Sequence, residues 1–583
     1  MIPETGPYVL LDDARIAGAS PARLYANPVR IITASSPTEL DTLLDDLRDA
    51  QAQGLHAAGF FAYDAGAALV PNLPATETPI LAWFGLFEQY QTFDTDALPS
   101  NLPDPAGAWL SRIRPDISRS DYTKAFAAVR EYIAAGDIYQ ANLTFPLSAD
   151  YAGDPLALYA ALRPRAAAGY GGVIWTGDQH YLSFSPELFF ALKERRVTTK
   201  PMKGTATRDA DLAADAAAAA QLRTDPKQRA ENLMIVDLLR NDLSRVCEPG
   251  SVVVPELFHI ESYPTVHQMT STVTGLLRPD STAIEIIKAL FPCGSITGAP
   301  KVRAMQIISE VETGPRGIYC GSIGRIDTNG DAAFNVAIRT FTLCDKTKRV
   351  SLGLGSGIVA DSDEAAEWAE CLAKGDFAKL DGCGFDLIET MRFEPAQGIL
   401  RLELHLERMK ESARIFGFEF DRHDARNKLH AATFHLDALS KIRLLASRQG
   451  ALAIEIRPLV EYEEWRVVVV PLPVDPQDFR LRHKITDRAF YDDARKARSD
   501  CDEVIFVGKD GRLTEGSISA IFVERDGKLL TPRLETGLLP SVLRRELIEA
   551  GTAKEADIEI EDLSAGFFVG NSVRGLIRAN RVA

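Results

Sequence analysis

Lys203, Glu231 and the set Glu367, Glu370 and Lys374 are the residues of this chain whose types and spacing could do chemistry. Lys203 sits in Pro-Met-Lys-Gly-Thr, where Pro201 and Gly204 predict a sharp exit from a strand and a loop that presents the amine. A neutral amine held there is a candidate nucleophile. After Pro226, a good first-turn residue, AENLMIVDLLRNDLSRV predicts a largely buried helix with apolar Leu233, Ile235, Val236, Leu238 and Leu239. Its Glu231, Asp237, Arg240 and Asp242 therefore need partners, and a buried carboxylate takes a metal or an arginine. On DSDEAAEWAECLAK, Glu367 and Glu370 are three residues apart on one helix face, with Lys374 a turn further along the stripe. Two glutamates so spaced can hold Mg2+ directly and through water; equally, they can form an exposed acidic face paired to Lys374.

The elements that must carry these residues read as α+β. Residues 1 to about 110 mix short strands (YVLLD, VRIITA, ILAWFGLF) with one amphipathic helix at PTELDTLLDDLRDAQAQ, opened by Ser-Pro-Thr. The Pro-, Asp- and Asn-rich stretch from Thr92 to Arg114 reads as a surface connection. From Ser118 to Lys374, helices alternate with β-rich runs such as HYLSFS, SVVVPELFHI and RVSLGLGSGIV, which predicts large, mostly antiparallel sheets. LAADAAAAAQLRTD is a good helix former leading into the Glu231 helix. The polar, glycine-punctuated stretch 376–384 reads as a linker between a domain at 1–375 and a smaller α+β domain at 385–583.

The 583-residue chain carries a net charge of −16, which argues against nucleic-acid binding but not against a small anion held by a few local arginines. There is no run of about 18 apolar residues and no basic-then-apolar start, so no membrane contact is expected and the cytoplasm is the expected location. Seven scattered cysteines without a Cys-x-x-Cys pair predict free thiols. GLGSGIV has Ile358 where a dinucleotide loop needs glycine, and SITGAPKV has Ala299 where a P-loop needs glycine, so neither is a nucleotide signal.

Six blocks in order carry a resemblance: SFSPELF, TTKPMKGTATR with its ENLMIVDLLRND helix, VHQMTSTVTG, PCGSITGAPKVRAM, RGIYCGSIG, and AIRTF with GSGIVADSDEAAEWAECLAK. Together they resemble the chorismate-utilising enzymes, which include anthranilate, isochorismate and aminodeoxychorismate synthases. The resemblance implies two stacked sheets, chorismate as substrate, and Mg2+ held by Glu231 and Glu370 with Glu367 nearby. It further implies a covalent adduct of Lys203 at ring C2, with ammonia then entering C4. Within the family a lysine at position 203 resembles the aminodeoxychorismate branch; anthranilate synthases have alanine there. Glu187 is the candidate general acid or base. His267 is either an orienting group for the leaving hydroxyl or a satisfied structural histidine. Arg339, alternating with apolar neighbours in AFNVAIRTF, is expected to point away from the core as a carboxylate clamp. Thr297, Tyr319, Gly355 and Lys374 are the remaining substrate-contact candidates. With no Gly-x-Cys-x-Gly nucleophile and downstream His-x-Glu in the chain, ammonia is expected from a separate glutamine amidotransferase subunit.

The back half carries LELHLERMKESARIFGF, HKITDRAFYDDARKA and DEVIFVGKDGRLTEGSISAIF, then TPRLETGLLPSVLRREL. These resemble the pyridoxal-phosphate enzymes of the branched-chain aminotransferase fold, and aminodeoxychorismate lyase in particular. The resemblance implies that Lys484 bonds the cofactor aldehyde and Glu515 faces its ring nitrogen. Arg408, with the backbone N–H groups of Val542 and Leu543, would hold its phosphate, and Thr390 would move a proton. A homodimer through this domain is a further expectation. Read without the resemblance, Lys484 is a basic surface loop residue and Glu515 a hairpin-turn glutamate. Ala520 stands where the family usually has asparagine, which puts the lyase activity in doubt more than the fold. The alternatives are an anthranilate or isochorismate synthase-type front half with an aminotransferase-like back half, and a non-catalytic binding protein with decayed sites.

Overall fold

The computed structural model describes every residue except 1, 4, 17, 74–77, 210, 264–265, 381–383, 526 and 583 and the side chain of 565. Part of the expected linker, with Cys383, therefore lies outside the described residues. The remaining six cysteines are free thiols. Two compact units emerge: one of Met1–Leu102, Arg112–Ala149 and Tyr159–Leu380, the other of Pro103–Ser111, Asp150–Leu158 and Asp381–Ala583.

The first unit is built on two antiparallel sheets. One contains Tyr8–Asp12, Tyr170–Trp175, Gln179–Ser185, Thr340–Cys344, Arg349–Ile358 and Gln140–Gly153; the other contains His56–Phe61, Ser322–Ile326, Ala332–Asn335, Leu188–Lys193, Arg196–Lys200, Val266–Leu276 and Met202–Thr207. They meet through a buried apolar layer in which Val9, Tyr25, Ile174 and Tyr181 of the first face Phe60, Trp83, Phe87 and Ile323 of the second. The other face of the second sheet is covered by the helices Pro37–Ala52, Pro226–Ser244, Ala283–Leu290 and Lys301–Val311, whose leucines and isoleucines fill a larger core. Local signals start these helices as expected: Ser36 Oγ accepts from the Glu39 N–H, and Pro226 opens the Glu231 helix behind the Asp225 cap.

That last helix is less enclosed than its composition predicts. Leu233 is 44% exposed, and Asp237 pairs with Arg240 at 2.9 Å in solvent. Of these acids only Asp242 is buried, and its partner is the half-buried Lys301, Nζ at 2.7 Å. The helix covers a sheet edge, so only one stripe is enclosed.

In the second unit a sheet of Gly398–Ile399, Leu387–Glu394, Ser440–Ala446 and Leu452–Pro458 packs on the helices Leu402–Phe416 and Arg422–Thr433. A second, larger sheet runs Leu513–Gly516, Glu503–Val507, Glu464–Pro471, Gly575–Arg581, Phe567–Asn571, Ala520–Arg525, Lys528–Thr531 and Ala553–Glu555. It is mixed: Glu464–Pro471 lies parallel to both neighbours.

The stretch expected as a surface connection contributes to this second unit. Ala108–Leu110 pairs antiparallel with the end of the strand Gln140–Gly153, Trp109 opposite Ala152. Trp109 is buried in the cluster of Phe385, Phe416, Phe418 and Phe479, its ring edge-on to Phe416 at 5.0 Å. Arg480 is buried against Asp478 and donates to Asp104 at 2.9 Å. Three apolar residues inside a polar, proline-rich stretch are enough to anchor it. Trp109→Ala is expected to destabilise this unit by about 3 to 5 kcal/mol, seen as an earlier melting transition of the full chain while the first unit's transition stays in place.

Candidate active sites

Two chain crossings between the sheets of the first unit build its site. The chain leaves Gln179–Ser185 for Leu188–Lys193 through Pro186 and Glu187, and returns from Ala332–Asn335 to Thr340–Cys344 through 336–339. The crossings are tied together: Val336 N–H donates to the Glu187 carbonyl at 3.0 Å and Phe184 N–H to the Arg339 carbonyl at 3.0 Å. Arg339 is therefore not in a strand, as its alternation predicted; it sits at the crossing with φ of +50°, the strained αL conformation that functional turns tolerate.

Between the crossings opens a cavity of about 840 Å³ lined by Glu187, Lys203, Glu231, Tyr319, Arg339, Gly355, Glu367, Glu370 and Lys374. Lys203 is on the strand Met202–Thr207 and not on a loop; Gly204, at φ +93°, lets a register shift between Met202 and Thr205 turn the amine inward. Burial, with Lys374 adding to it, pulls the Lys203 pKa below the ordinary lysine value. Glu187 is buried and accepts from Ser295 Oγ at 2.7 Å. Burial raises its pKa to about 7 against the opposing pull of Ser295 and Lys203. Glu231 is pushed up by burial and by the nearby Glu367 and Glu370.

Two of the three helix carboxylates already have partners. Glu370 is 2.8 Å from Lys374 Nζ, which also donates to the Gly355 carbonyl at 2.9 Å, and Glu367 accepts from Ser362 Oγ at 2.7 Å. Among the described residues no three His, Cys, Asp or Glu side chains are gathered closely enough to hold a metal as they stand. In kind the three glutamates fit a hard divalent cation: oxygen donors from two helices, facing one cavity and repelling one another.

The run rejected as a nucleotide loop is the cavity floor. Gly353, Gly355 and Gly357 alternate on one face of Arg349–Ile358, and a Cβ on them would lie 2.1 Å from the Tyr319 ring, 2.6 Å from the Leu143 carbonyl, and 2.7 Å from Gln140 Nε2 with Lys203 Nζ at 3.2 Å. Gln140 is a residue that sequence reasoning missed: its side-chain amide is buried beside Lys203's amine with neither atom hydrogen-bonded.

Two candidates lie elsewhere. His267 is buried away from the cavity, Nε2 2.9 Å from Asp215 and Nδ1 2.8 Å from Ser262 Oγ; strand alternation turns its neighbours Val266 and Gln268 to the cavity instead. Thr297 is fully buried, its hydroxyl donating to the carbonyls of Cys293 and Gly294 at 3.2 Å each.

Residues 7–379 match the chorismate binding enzyme family. The chain belongs to that family. A chorismate binding enzyme similar to it is aminodeoxychorismate synthase component 1 of Klebsiella aerogenes, 40% identical over 342 residues, 54% of this chain and 75% of that protein. Anthranilate synthase component 1 of Streptomyces coelicolor is 41% identical over 260 residues, 44% of this chain and 50% of that one. The crystal structure of anthranilate synthase component I from Streptococcus pneumoniae superposes with a TM-score of 0.53 at 26% identity, covering 65% of this chain and 94% of that one. Residues 386–582 of this chorismate binding enzyme match a second family, amino-transferase class IV, a fold of pyridoxal-phosphate enzymes. Among the described residues no helix is long and apolar enough to cross a membrane.

The second unit has its own cavity, about 340 Å³, lined by Thr390, Arg408, Lys484, Glu515, Ala520 and Val542. Lys484 is no surface residue: burial, reinforced by Arg488 and Arg408, lowers its pKa to about 7. Glu515 is buried, its pKa raised to about 7 by that burial, and accepts a hydrogen bond from the Tyr491 hydroxyl. Arg408 grips Glu389 through two bonds at 2.8 and 2.7 Å and the Pro540 carbonyl at 2.9 Å. Burial would push the Glu389 pKa up, but Arg408 and His405 hold it at about 2. The helix Val542–Glu549 begins at Ser541 with no side-chain cap, leaving its first N–H donors for a ligand. Leu543 is buried and off the cavity wall. Sequence reasoning missed Glu503, fully buried, which accepts from the Ser517 and Ile518 N–H groups and the Ser517 and Ser519 hydroxyls and so shapes the wall beside Ala520.

Proposed function

We propose that the first cavity aminates chorismate at C4 and the second removes pyruvate from the product to leave 4-aminobenzoate. The observation that carries this is Lys203: a desolvated amine facing Glu187, three further glutamates and Arg339 in one cavity. Its neutral nitrogen adds to ring C2, the two ring double bonds shift, and the C4–O bond breaks. Glu187 gives its proton to the departing oxygen, which leaves as water. Ammonia then adds at C4, the bonds shift back and the C2–N bond breaks, returning neutral Lys203. Glu187 takes back a proton from the new C4 ammonium. Arg339 fits a substrate carboxylate. Mg2+ held by Glu231 and Glu370, with Glu367 beside them, would bind a second carboxylate once Lys374 gives up Glu370.

In the second cavity, pyridoxal phosphate would bond to Lys484, set its ring nitrogen against Glu515 and its phosphate against Arg408 and the Val542 helix start. Once bound it supplies an electron sink at the carbon bearing the amine. Lys484 Nζ, freed when the substrate's C4 amine displaces it from the cofactor, would then remove the C4 proton as the C3–O bond breaks and the ring becomes aromatic, and the Thr390 hydroxyl is in the cavity to relay a proton to the departing enolpyruvate.

An anthranilate-forming front half is the second reading, since a relative of that name is 41% identical over a shorter match of 260 residues; Lys203 favours C4 amination. The deciding experiment supplies the chain with chorismate, ammonium, Mg2+ and pyridoxal phosphate and separates the products by chromatography. Aminobenzoate with the 4-substitution pattern and equimolar pyruvate are expected. Glutamine in place of ammonium is expected to give none, because the amidotransferase is a separate subunit, and a chelator is expected to stop amination. Anthranilate as the product would overturn the reading.

A further inference from the structure

Three residues carry the chain from Leu513–Gly516 to Ala520–Arg525, yet four strands lie between these two in the larger sheet of the second unit. Strands sit ~4.8 Å apart, so a flat sheet would separate the two by ~24 Å, whereas four residue steps reach only ~14 Å. The sheet therefore curls until the two strands meet. Among the described residues no ladder joins them, and Leu513–Gly516 pairs only with Glu503–Val507.

One side chain closes the seam. Glu503 is fully buried and has no ion-pair partner among the described residues. Its Oε1 accepts from the Val504 and Ser517 N–H groups at 2.9 and 3.1 Å and from Ser517 Oγ at 2.5 Å; its Oε2 accepts from the Ile518 N–H at 3.1 Å and Ser519 Oγ at 2.7 Å. A buried carboxylate without a cation is tolerated only where donors surround it, and all but one of these donors belong to a single turn, Ser517 to Ser519. The Ser517 N–H also reaches the Val504 carbonyl at 2.9 Å, but among the described residues the Ile518 N–H bonds to Glu503 alone.

That turn is cavity wall. Ser517, Ile518 and Ser519 line the same space as Lys484 and Glu515, while Glu503 does not reach it. Gly516, between Glu515 and the turn, has no room for a side chain: a Cβ would lie 2.4 Å from Ser519 Oγ and 3.1 Å from the Glu503 carboxylate. Glu515 and the turn are thus packed onto the same buried acid.

We propose that Glu503 is a positioning residue for the cofactor of the second cavity: without touching it, the carboxylate holds the Ser517–Ser519 turn, and Glu515 ahead of it, where they receive the cofactor ring. This rests on the pyridoxal-phosphate reading of the cavity and not on the identity of its substrate. A glutamine at this position keeps the outline but turns its NH2 group either against the Ile518 N–H or against those of Val504 and Ser517. Either way two donors face each other and the turn must shift.

The test titrates pyridoxal phosphate into the cofactor-free full chain and follows the visible absorption of the lysine-bound cofactor. Glu503→Gln is expected to bind at least about tenfold more weakly than wild type, the loss expected when a hydrogen bond to a charged group is removed. The pH at which the band changes should also move, because Glu515 is displaced from the ring nitrogen; an acid that only stabilises the fold would leave that pH in place. Wild-type affinity with an unmoved pH overturns the proposal. If the second unit of the variant melts early without cofactor, Ser519→Ala decides, since it removes one hydroxyl and keeps the Ile518 bond. Binding about threefold weaker with the melting transition in place then supports the role, and wild-type affinity overturns it. A wild type that binds the cofactor in this Glu503-dependent way yet releases no pyruvate refutes the lyase reading alone.

Discussion

Lys203→Ala should reduce amination of chorismate by on the order of 10³-fold or more, while the chain still releases pyruvate from supplied 4-amino-4-deoxychorismate. The expected loss is large because, in the proposed mechanism, the amine forms and breaks a bond to the ring, a role no neighbouring group can take over. In water a lysine is protonated up to pH ~10.4; in this cavity burial and Lys374 lower that value, so a given neutral fraction is reached at a lower pH than in water. The amination rate should therefore climb with pH as Lys203 sheds its proton. Glu187, raised to about 7 by burial, is the acid proposed to protonate the leaving oxygen, so the rate should fall again as pH passes that value. Glu187→Gln should remove the alkaline fall along with most of the rate. A Lys203→Ala protein that keeps most of its amination rate would remove the nucleophile from the mechanism.

Lys484→Ala should stop pyruvate release by a comparable factor, on the order of 10³, and abolish the visible absorption of the bound cofactor. Because the other cavity is untouched, the aminated intermediate should accumulate in the same incubation, visible as a new peak where wild type shows 4-aminobenzoate. Lys484 is held at about 7 by burial and by Arg488 and Arg408, so much of it is neutral at physiological pH and ready to bond an aldehyde. Undiminished pyruvate release from the variant would show that another group performs the elimination.

Much of both sites is legible in the chain because their parts follow local periodicities or local blocks. Glu367, Glu370 and Lys374 fall on one helix face by spacing alone, and the ordered blocks bring Glu187, Lys203, Glu231 and Tyr319 to one cavity. The misreadings have a common physical origin: the partner of a strand is not written in the strand. Arg339 keeps the alternation of a continuous strand, yet the chain changes sheets there. His267 and Gln268 differ only in parity, and which face meets the cavity depends on the pairing with Met202–Thr207. Trp109 is hidden in polar, proline-rich sequence because its strand partner lies some forty residues on, at Ala152. The three glycines of Arg349–Ile358 read as a loop signal because flat, side-chain-free paving and a phosphate loop use the same residue.

The two excursions 103–111 and 150–158 bear on how the halves can be taken apart. A gene cut near codon 384 would yield a back piece whose phenylalanine cluster lacks its indole plug and whose Arg480 lacks one of its acids, while the front piece would trail two orphaned segments. Soluble expression of the halves as independent products should therefore require either co-expression or a redesigned seam, because the two units are joined by their topology as well as by their linkage.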